Sequence, residues 1–169
     1  EIIYSIVDIL IRENREIFIE DNLVEPFKKL NRFSSSRKEI LKNCDLIISI
    51  GGDGSIINTA KKYGIKGIPI LGVNLGRLGF LTDIAPENIN KGLESILNGK
   101  FTIDKRFFLK TKLNNTFLEE RALNEVVLHS GAVAKMIEFD VFIDNDFVYK
   151  QRADGLIIFT STGSTAYSL

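Results

Sequence analysis

The sequence is poor in the residues that build disulfide and metal frameworks. Its one cysteine, Cys44, excludes an intrachain disulfide and fits a reducing compartment, so a cytoplasmic location is expected. Cys44 stands just before an apolar stretch and reads as a buried, inert thiol rather than a nucleophile. With a single histidine, His129, for company, it cannot assemble the usual zinc sites. An excess of charge of either sign is missing too, since 22 Lys and Arg balance 22 Asp and Glu over 169 residues. That balance argues against the broad basic surfaces that hold nucleic acid or anionic lipid. No apolar run approaches the ~20 residues needed to cross a bilayer, and the opening residues do not read as a secretory signal. Neither a nucleic-acid nor a membrane partner is expected. What remains, with 44% hydrophobic and 26% charged residues, is a globular chain able to bury a core around a small-molecule site.

The first hundred residues alternate between helical and strand periodicity. Ile3, Ile6, Val7 and Leu10 recur at helical spacing and predict a buried stripe, followed by a short strand at Ile17-Phe18-Ile19. Ser36 with Glu39 three residues on predicts a capping box that opens a short helix through Leu41. Leu46–Ile50 is nearly all apolar and rich in β-branched residues, as suits a central parallel strand covered on both faces. A helix from Ser55 to Tyr63 and a strand from Ile68 to Val73 follow. Pro86 then opens a helix with the apolar face Ile89, Leu93, Ile96 and Leu97, ended by Gly99. This order predicts an α/β unit over residues 1–104, a Rossmann-like doubly wound sheet with ligands at the carboxyl ends of its strands. From about residue 105 the period changes to two, without a convincing amphipathic helix. Asn114-Asn115 and Asp144-Asn145-Asp146 separate strand-like stretches as hairpin turns do. Residues 105–169 therefore read as a β-rich second domain that is incomplete, and the phenylalanines from Phe101 to Phe159 as its core. The chain opens on Glu1 and stops soon after a turn rich in Gly, Ser and Thr, which reads as part of a longer polypeptide.

Gly51-Gly52-Asp53-Gly54-Ser55 falls where the central strand hands over to a helix. Glycines there let a ligand approach the backbone, and a helix N-terminus offers unpaired N–H groups to phosphate. An aspartate amid such a turn would repel phosphate oxygens, so it needs another task, such as holding a substrate hydroxyl or a magnesium ion. The plainer reading makes Asp53 the N-cap of the following helix. A P-loop Gly-x-x-x-x-Gly-Lys-Ser/Thr is absent, and so is Gly-x-Gly-x-x-Gly after the first strand. Gly-Gly-Asp-Gly also occurs in 6-phosphofructokinases and in diacylglycerol and sphingosine kinases. Alone it points to phosphoryl transfer from ATP.

Three further segments narrow the choice. Asn74-Leu75-Gly76-Arg77-Leu78-Gly79-Phe80-Leu81-Thr82 follows a strand directly, and Phe80 is placed to stack on a flat ring. Asn124-Glu125 lies inside a strand-like stretch, where neighbouring side chains face opposite sides unless a bulge intervenes. An asparagine donates and accepts at once, as an adenine edge requires. Asp154–Tyr167 reads as a buried strand running into a hydroxyl-rich turn.

Taken in order, these segments resemble the NAD kinases over nearly the whole chain. The resemblance implies an α/β domain followed by an unusual β-rich domain, and transfer of a phosphate to the adenosine 2′-hydroxyl of NAD. Asp53 would contact the accepting ribose, with Gly51, Gly52, Gly54 and Ser55 near the donor phosphates. Arg77 is a separate candidate, on its charge alone, for neutralising those phosphates, a surface arginine being the plainer reading. Phe80, Asn124, Glu125, Asp154, Thr162, Thr165, Ala166 and Tyr167, together with Asp53 and Gly54, would hold NAD. The donor would be ATP or polyphosphate, with magnesium bridging its phosphates, and the assembly a homodimer or homotetramer. Two positions depart from the family's habit: Ser161 stands where proline is usual, and Phe159 where a small residue is common. A carboxylate is too weak a base to ionise a ribose hydroxyl beforehand, but it can orient the hydroxyl and take its proton late in a loose transition state. Another Gly-Gly-Asp-Gly kinase, acting on a sugar phosphate or lipid, and a regulatory module that binds NAD(P) without turnover are the competing readings.

Overall fold

A computed structural model describes residues 1–76, 79–131 and 135–167, with side chains through residue 164. The chain divides into two compact units, Glu1–Lys105 and Arg106–Leu169. No helix among the described residues is long and apolar enough to cross a membrane.

The first unit opens with helix α1 (Ile2–Arg12), which buries Ile6, Val7 and Ile9. Ile3 and Leu10 of the expected stripe are half-buried at its margins. Strand β1 (Ile19–Glu20) starts at the end of the expected Ile17–Ile19 segment and pairs in parallel with β2 (Ser34–Ser35). Helix α2 (Arg37–Asn43) begins with the anticipated capping box: the Glu39 N–H donates to the Ser36 hydroxyl, and the Ser36 N–H donates to the Glu39 carboxylate at 2.8 Å. The hydrogen bonds from Ser36, side chain first and backbone second, hold the Glu39 carboxyl below its usual range.

At the centre, β3 (Ile47–Ile50) pairs in parallel with β4 (Ile70–Val73), joined through helix α3 (Asp53–Tyr63). Helix α4 (Ile89–Leu97) follows a 3-10 turn at Pro86–Asn88, and the chain leaves it through Gly99 at φ 75°. Because side chains alternate across a strand, the two faces of this pair have different partners. Leu71 and Val73 form one cluster with Ile6 and Ile9 of α1 and Ile89 and Leu93 of α4, and Ile48 and Ile50 pack against it. Ser49 faces the other way and shares a 2.9 Å hydroxyl–hydroxyl hydrogen bond with Thr59 of α3. Gly72 lies beside Ser49 in the register and looks toward Ile56 of α3. Helices therefore cover both faces of a parallel ladder, the doubly wound α/β arrangement expected from the apolar run. Tyr63 closes α3 beside Glu20; burial first, then the Glu20 charge, pushes its pKa up to about 12.

The second unit is built from antiparallel ladders. Strands β5 (Leu109–Leu113) and β6 (Thr116–Ala122) form a hairpin over Asn114 and Asn115, at φ 46° and 66°. Strand β7 (Glu125–His129) waits for a distant partner. The next two strands, β8 (Ile137–Ile143) and β9 (Asp146–Ala153), turn over Asp144 and Asn145, at φ 51° and 73°. Two successive positive φ values are what a tight hairpin matching the strand twist requires, and Asn and Asp tolerate them. Strand β10 (Gly155–Phe159) then returns to pair antiparallel with β7 and leads into helix α5 (Ser161–Tyr167).

Two expectations for this half need correcting. The hydroxyl-rich segment after β10 is a helix, not a turn, although the period-two stretch had given no sign of one. The phenylalanines are not a common core either: Phe101, Phe107, Phe117, Phe142, Phe147 and Phe159 are all exposed. Among the described residues the strands from β5 onward pair only as two-stranded ladders. The rings find local partners instead. Phe142 meets Phe147 edge-on at 5.6 Å, and the Lys110 ammonium lies 3.9 Å from the centre of the Phe117 ring.

Gly72 supplies a test of the central packing. A Cβ there would meet the Ile56 side chain and would lie 2.9 Å from the Leu81 carbonyl oxygen and 3.0 Å from the Thr82 Cα. Because two of these contacts are backbone, Gly72→Ala is expected to destabilise the intact protein by about 1–3 kcal/mol. Denaturant unfolding measures this directly, and an unchanged midpoint would show that the loop over β4 yields freely.

Candidate active site

The Gly-Gly-Asp-Gly turn begins where β3 ends. The Gly51 N–H donates to the Val73 carbonyl at 2.8 Å, which carries the parallel ladder one step further. Gly51 sits at φ 148°, and a Cβ on it would overlap the Ser55 side chain. Glycine is thus required here by the turn itself. Gly52 and Gly54 differ. Neither takes a left-handed φ, and a Cβ on either would meet nothing within 4 Å. Neither packing nor backbone conformation accounts for glycine at these two positions. Their bareness leaves room for a ligand to approach the first turn of α3, where unpaired N–H groups gather.

Asp53 is not the N-cap of α3. Gly52 holds that position, and no side chain caps the helix. The Asp53 carboxylate turns instead to the loop after β4, where Oδ2 accepts the Phe80 N–H at 2.9 Å and Oδ1 accepts the Leu81 N–H at 3.0 Å. Two consecutive backbone N–H groups thus share one carboxylate, a small anion nest. Gly79 fits beside it because a Cβ there would collide with the carboxylate atoms. Phe80 is 75% exposed, so its ring stands in solvent beside the turn. Arg77, expected near the donor phosphates, lies outside the described residues.

The loop that carries Phe80 is tied at its neck. Asn74 is only 2% exposed, its N–H donates to the Ile84 carbonyl at 2.9 Å, and its Oδ1 accepts the Gly76 N–H at 2.8 Å. Asp83 closes the other side by accepting the Gly72 N–H at 2.7 Å. The sequence drew attention to the glycines and to Phe80. Asn74 and Thr82, which hold the loop, bound that segment in the sequence without a role suggested for either.

The second group of expected residues gathers around the break between β6 and β7. Asn124 is not inside a strand: it occupies a bend after Leu123, and this bend resets the alternation. The Asn124 side chain and the half-buried Glu125 are thereby released from the rule that neighbours face apart. The Asn124 Oδ1 is buried without a hydrogen-bond partner among the described residues. Glu125 opens β7 opposite Phe159 of β10.

Thr160 organises this region. It is 1% exposed, its N–H donates to the Asn124 carbonyl at 2.8 Å, and its hydroxyl donates to the Leu123 carbonyl. The same hydroxyl accepts the N–H groups of Thr162 at 3.1 Å and Gly163 at 3.2 Å, so Thr160 caps α5. Ser161 is the first residue of that helix, a position proline also favours. Gly163 is pressed against the Asn124 backbone, where a Cβ would clash. The Thr162 hydroxyl receives a 2.9 Å hydrogen bond from Arg106, another residue the sequence did not single out. Asp154 is exposed at the opposite end of β10, about 20 Å from Thr160 along a strand rising ~3.3 Å per residue. Thr165, Ala166 and Tyr167 belong to α5, but their side chains lie outside the described residues.

Cys44, expected to be buried, is half-buried, and His129 stands at a strand end. His129 ends β7 and accepts the Gly131 N–H at 3.0 Å. Burial first, then the charges of Asp45 and Glu16, push the Cys44 thiol above its ordinary value and disfavour the nucleophilic thiolate. Replacing Thr160 tests the capping arrangement. Thr160→Val leaves the Thr162 and Gly163 N–H groups and the Leu123 carbonyl without their buried partner, and is expected to cost about 2 kcal/mol in denaturant unfolding. Thr160→Ser, which keeps the hydroxyl, should recover most of that loss.

Comparison with known proteins agrees with both halves. Residues 13–101 match the ATP-NAD kinase N-terminal domain, and residues 123–169 match the ATP-NAD kinase C-terminal domain. The chain is 41% identical over 167 residues to the NAD kinase of Saccharophagus degradans, covering 97% of this chain and 57% of that protein. It is 48% identical over 162 residues to the NAD kinase of Wigglesworthia glossinidia brevipalpis, covering 95% and 55%. The chain therefore spans little more than half the length of these curated relatives. Among solved structures, yeast NADH kinase complexed with NADH superimposes with a TM-score of 0.70 at 30% identity, over 80% of this chain and 41% of that one. An NAD kinase from Archaeoglobus fulgidus in complex with ATP gives 0.62 at 31% identity, over 90% and 62%. With both domain patterns matched in order across the two units, the chain belongs to the NAD kinase family.

Proposed function

We propose that the protein to which this chain belongs phosphorylates the adenosine 2′-hydroxyl of NAD, taking the γ-phosphate of ATP and yielding NADP. The observation that carries this reading is the setting of Asp53. Its carboxylate is fixed by two backbone N–H groups at the edge of a turn whose neighbouring glycines, Gly52 and Gly54, leave open space. A carboxylate oxygen that accepts one N–H keeps a further lone pair, and that lone pair is what a ribose hydroxyl needs.

In this reading the first turn of α3 receives the donor phosphates through Gly51, Gly52, Gly54 and Ser55. Asp53 accepts a hydrogen bond from the 2′-hydroxyl and aims its oxygen in line with the γ-phosphorus. As the new P–O bond forms and the bond from the γ-phosphorus to the departing ADP breaks, the hydroxyl acidifies and its proton passes to Asp53. Little base strength is needed, because the transition state is loose and positioning dominates. Asn124 and Glu125 hold the adenosine, with the buried Asn124 Oδ1 available to a ligand N–H. Thr162, with Thr165, Ala166 and Tyr167 of α5, lines the rest of the dinucleotide site, Asp154 adds a polar contact, and Phe80 packs on the adenine. Arg77 supplies positive charge to the phosphates.

Magnesium belongs to the same reading, as a cation carried by the donor phosphates whose charge it offsets. Among the described residues no three His, Cys, Asp or Glu side chains converge on one point. A cytoplasmic homodimer or homotetramer that accepts ATP, or polyphosphate in its place, completes the proposal.

Asp53→Asn is the deciding substitution. A coupled assay for NADP on the intact protein, with NAD and Mg-ATP, should show turnover reduced by about 100-fold or more. The variant should still unfold cooperatively, although its amide must turn an NH2 toward one of the two loop N–H groups. Wild-type turnover would remove Asp53 from the mechanism. The same assay with polyphosphate identifies the donor.

A further inference from the structure

We propose that the Gly79–Thr82 turn is the element that positions Asp53, and that the Thr82 hydroxyl, backed by Asn74, sets the shape of that turn. This rests on the reading of Asp53 given above and names residues that act through it. Thr82 Oγ1 accepts the Gly79 N–H at 3.1 Å, closing the segment into a side-chain-bonded turn. Within that turn the next two N–H groups, of Phe80 and Leu81, point together at the Asp53 carboxylate, one to each oxygen. Consecutive N–H groups rarely converge in extended backbone, where they point to opposite sides. Their convergence therefore requires something to hold the curl, and the Thr82 hydroxyl spans it.

Behind Thr82 stands Asn74. Its Nδ2 donates to Thr82 Oγ1 at 3.4 Å while its own backbone is anchored to Ile84. Asn74 is nearly sealed from water, so its amide is a fixed support rather than a mobile surface group. The chain of contact thus runs from the buried neck of the loop, through one hydroxyl, to the two donors that grip the carboxylate. Gly79 completes it: its lack of a side chain leaves room for the carboxylate against which a Cβ would collide. A carboxylate gripped at both oxygens cannot rotate about its Cβ–Cγ bond without breaking a hydrogen bond. Its remaining lone pairs are therefore held in one direction before substrate arrives, and such preorganisation benefits the transition state more than ground-state binding.

The experiment measures kcat and the KM values for NAD and ATP of the intact protein, together with thermal unfolding, for Thr82→Val, Thr82→Ser and Gly79→Ala, each alone and combined with Asp53→Asn. Thr82→Val and Gly79→Ala are expected to lower kcat roughly tenfold or more while leaving the KM for ATP within about twofold. Thr82→Ser should restore kcat to within about twofold of wild type, because it keeps the oxygen that accepts the Gly79 N–H. In the Asp53→Asn background neither Thr82→Val nor Gly79→Ala should lower kcat by more than about twofold further, the non-additivity expected of residues acting through one group. A wild-type kcat in folded Thr82→Val, or the same fold-loss with and without Asp53, would overturn the proposal while leaving the role of Asp53 intact. If Thr82→Val does not fold, Gly79→Ala decides on the same criteria. Wild-type turnover by Asp53→Asn overturns the reading of Asp53 and this proposal with it.

Discussion

The parallel ladder between β3 and β4 is the constraint on which the first unit depends. Its register ends by pairing Ile50 with Val73, and Gly51 adds one more hydrogen bond. Both strands therefore run out at the same level, and the segments that leave them, the glycine turn and the loop from Asn74, must start side by side. Parallel strands always deliver their exits to one edge, which is why ligands of open α/β sheets gather there. Here the consequence is specific: a carboxylate at residue 53 and two N–H groups at residues 80 and 81 meet although 27 and 28 positions separate them.

The alternation of the same ladder divides the work between its faces. Leu71 and Val73 hold α1 and α4 through an apolar cluster, whereas Gly72 and Ser49 give α3 a flatter seat. The flatness matters beyond α3, because Gly72 also admits the Leu81 and Thr82 backbone. The loop that grips Asp53 is thus packed on the strand it leaves. The packing of α3 and the grip on Asp53 share a residue with no side chain.

Features with local causes could be read from the sequence. Ser36 and Glu39 announced α2 because both partners of a capping box lie within one turn. Asn114-Asn115 and Asp144-Asn145 announced their hairpins because these residue types accept the positive φ that a tight turn demands. Leu46–Ile50 announced a strand covered on both faces. What escaped the sequence was set by distant partners. Asp53 looked equally suited to cap α3, and only the loop reveals that its carboxylate is engaged elsewhere. Helix α5 is written in Ser, Thr and Gly, poor helix formers, and owes its start to Thr160, which is anchored to a carbonyl 37 residues away. The bend at Asn124 has the same origin. The exposed phenylalanines misled because period two reports that a strand has two faces and not whether anything covers them.

The nesting of the strands in the second unit has a kinetic side. The β7–β10 ladder pairs Glu125 with Phe159 and His129 with Gly155, and the whole β8–β9 hairpin lies between those strands in the chain. A hairpin closed by Asp144 and Asn145 is a local event, whereas joining β7 to β10 directly means closing a loop of some tens of residues. Once the hairpin has zipped, that loop is effectively shortened to the few residues at its base. The inner turn therefore lowers the entropic barrier for the outer ladder, and with it for Thr160 to reach Leu123 and Asn124. Two small residues at a hairpin tip, far along the chain from the Asn124 bend, help to set how quickly that bend is locked.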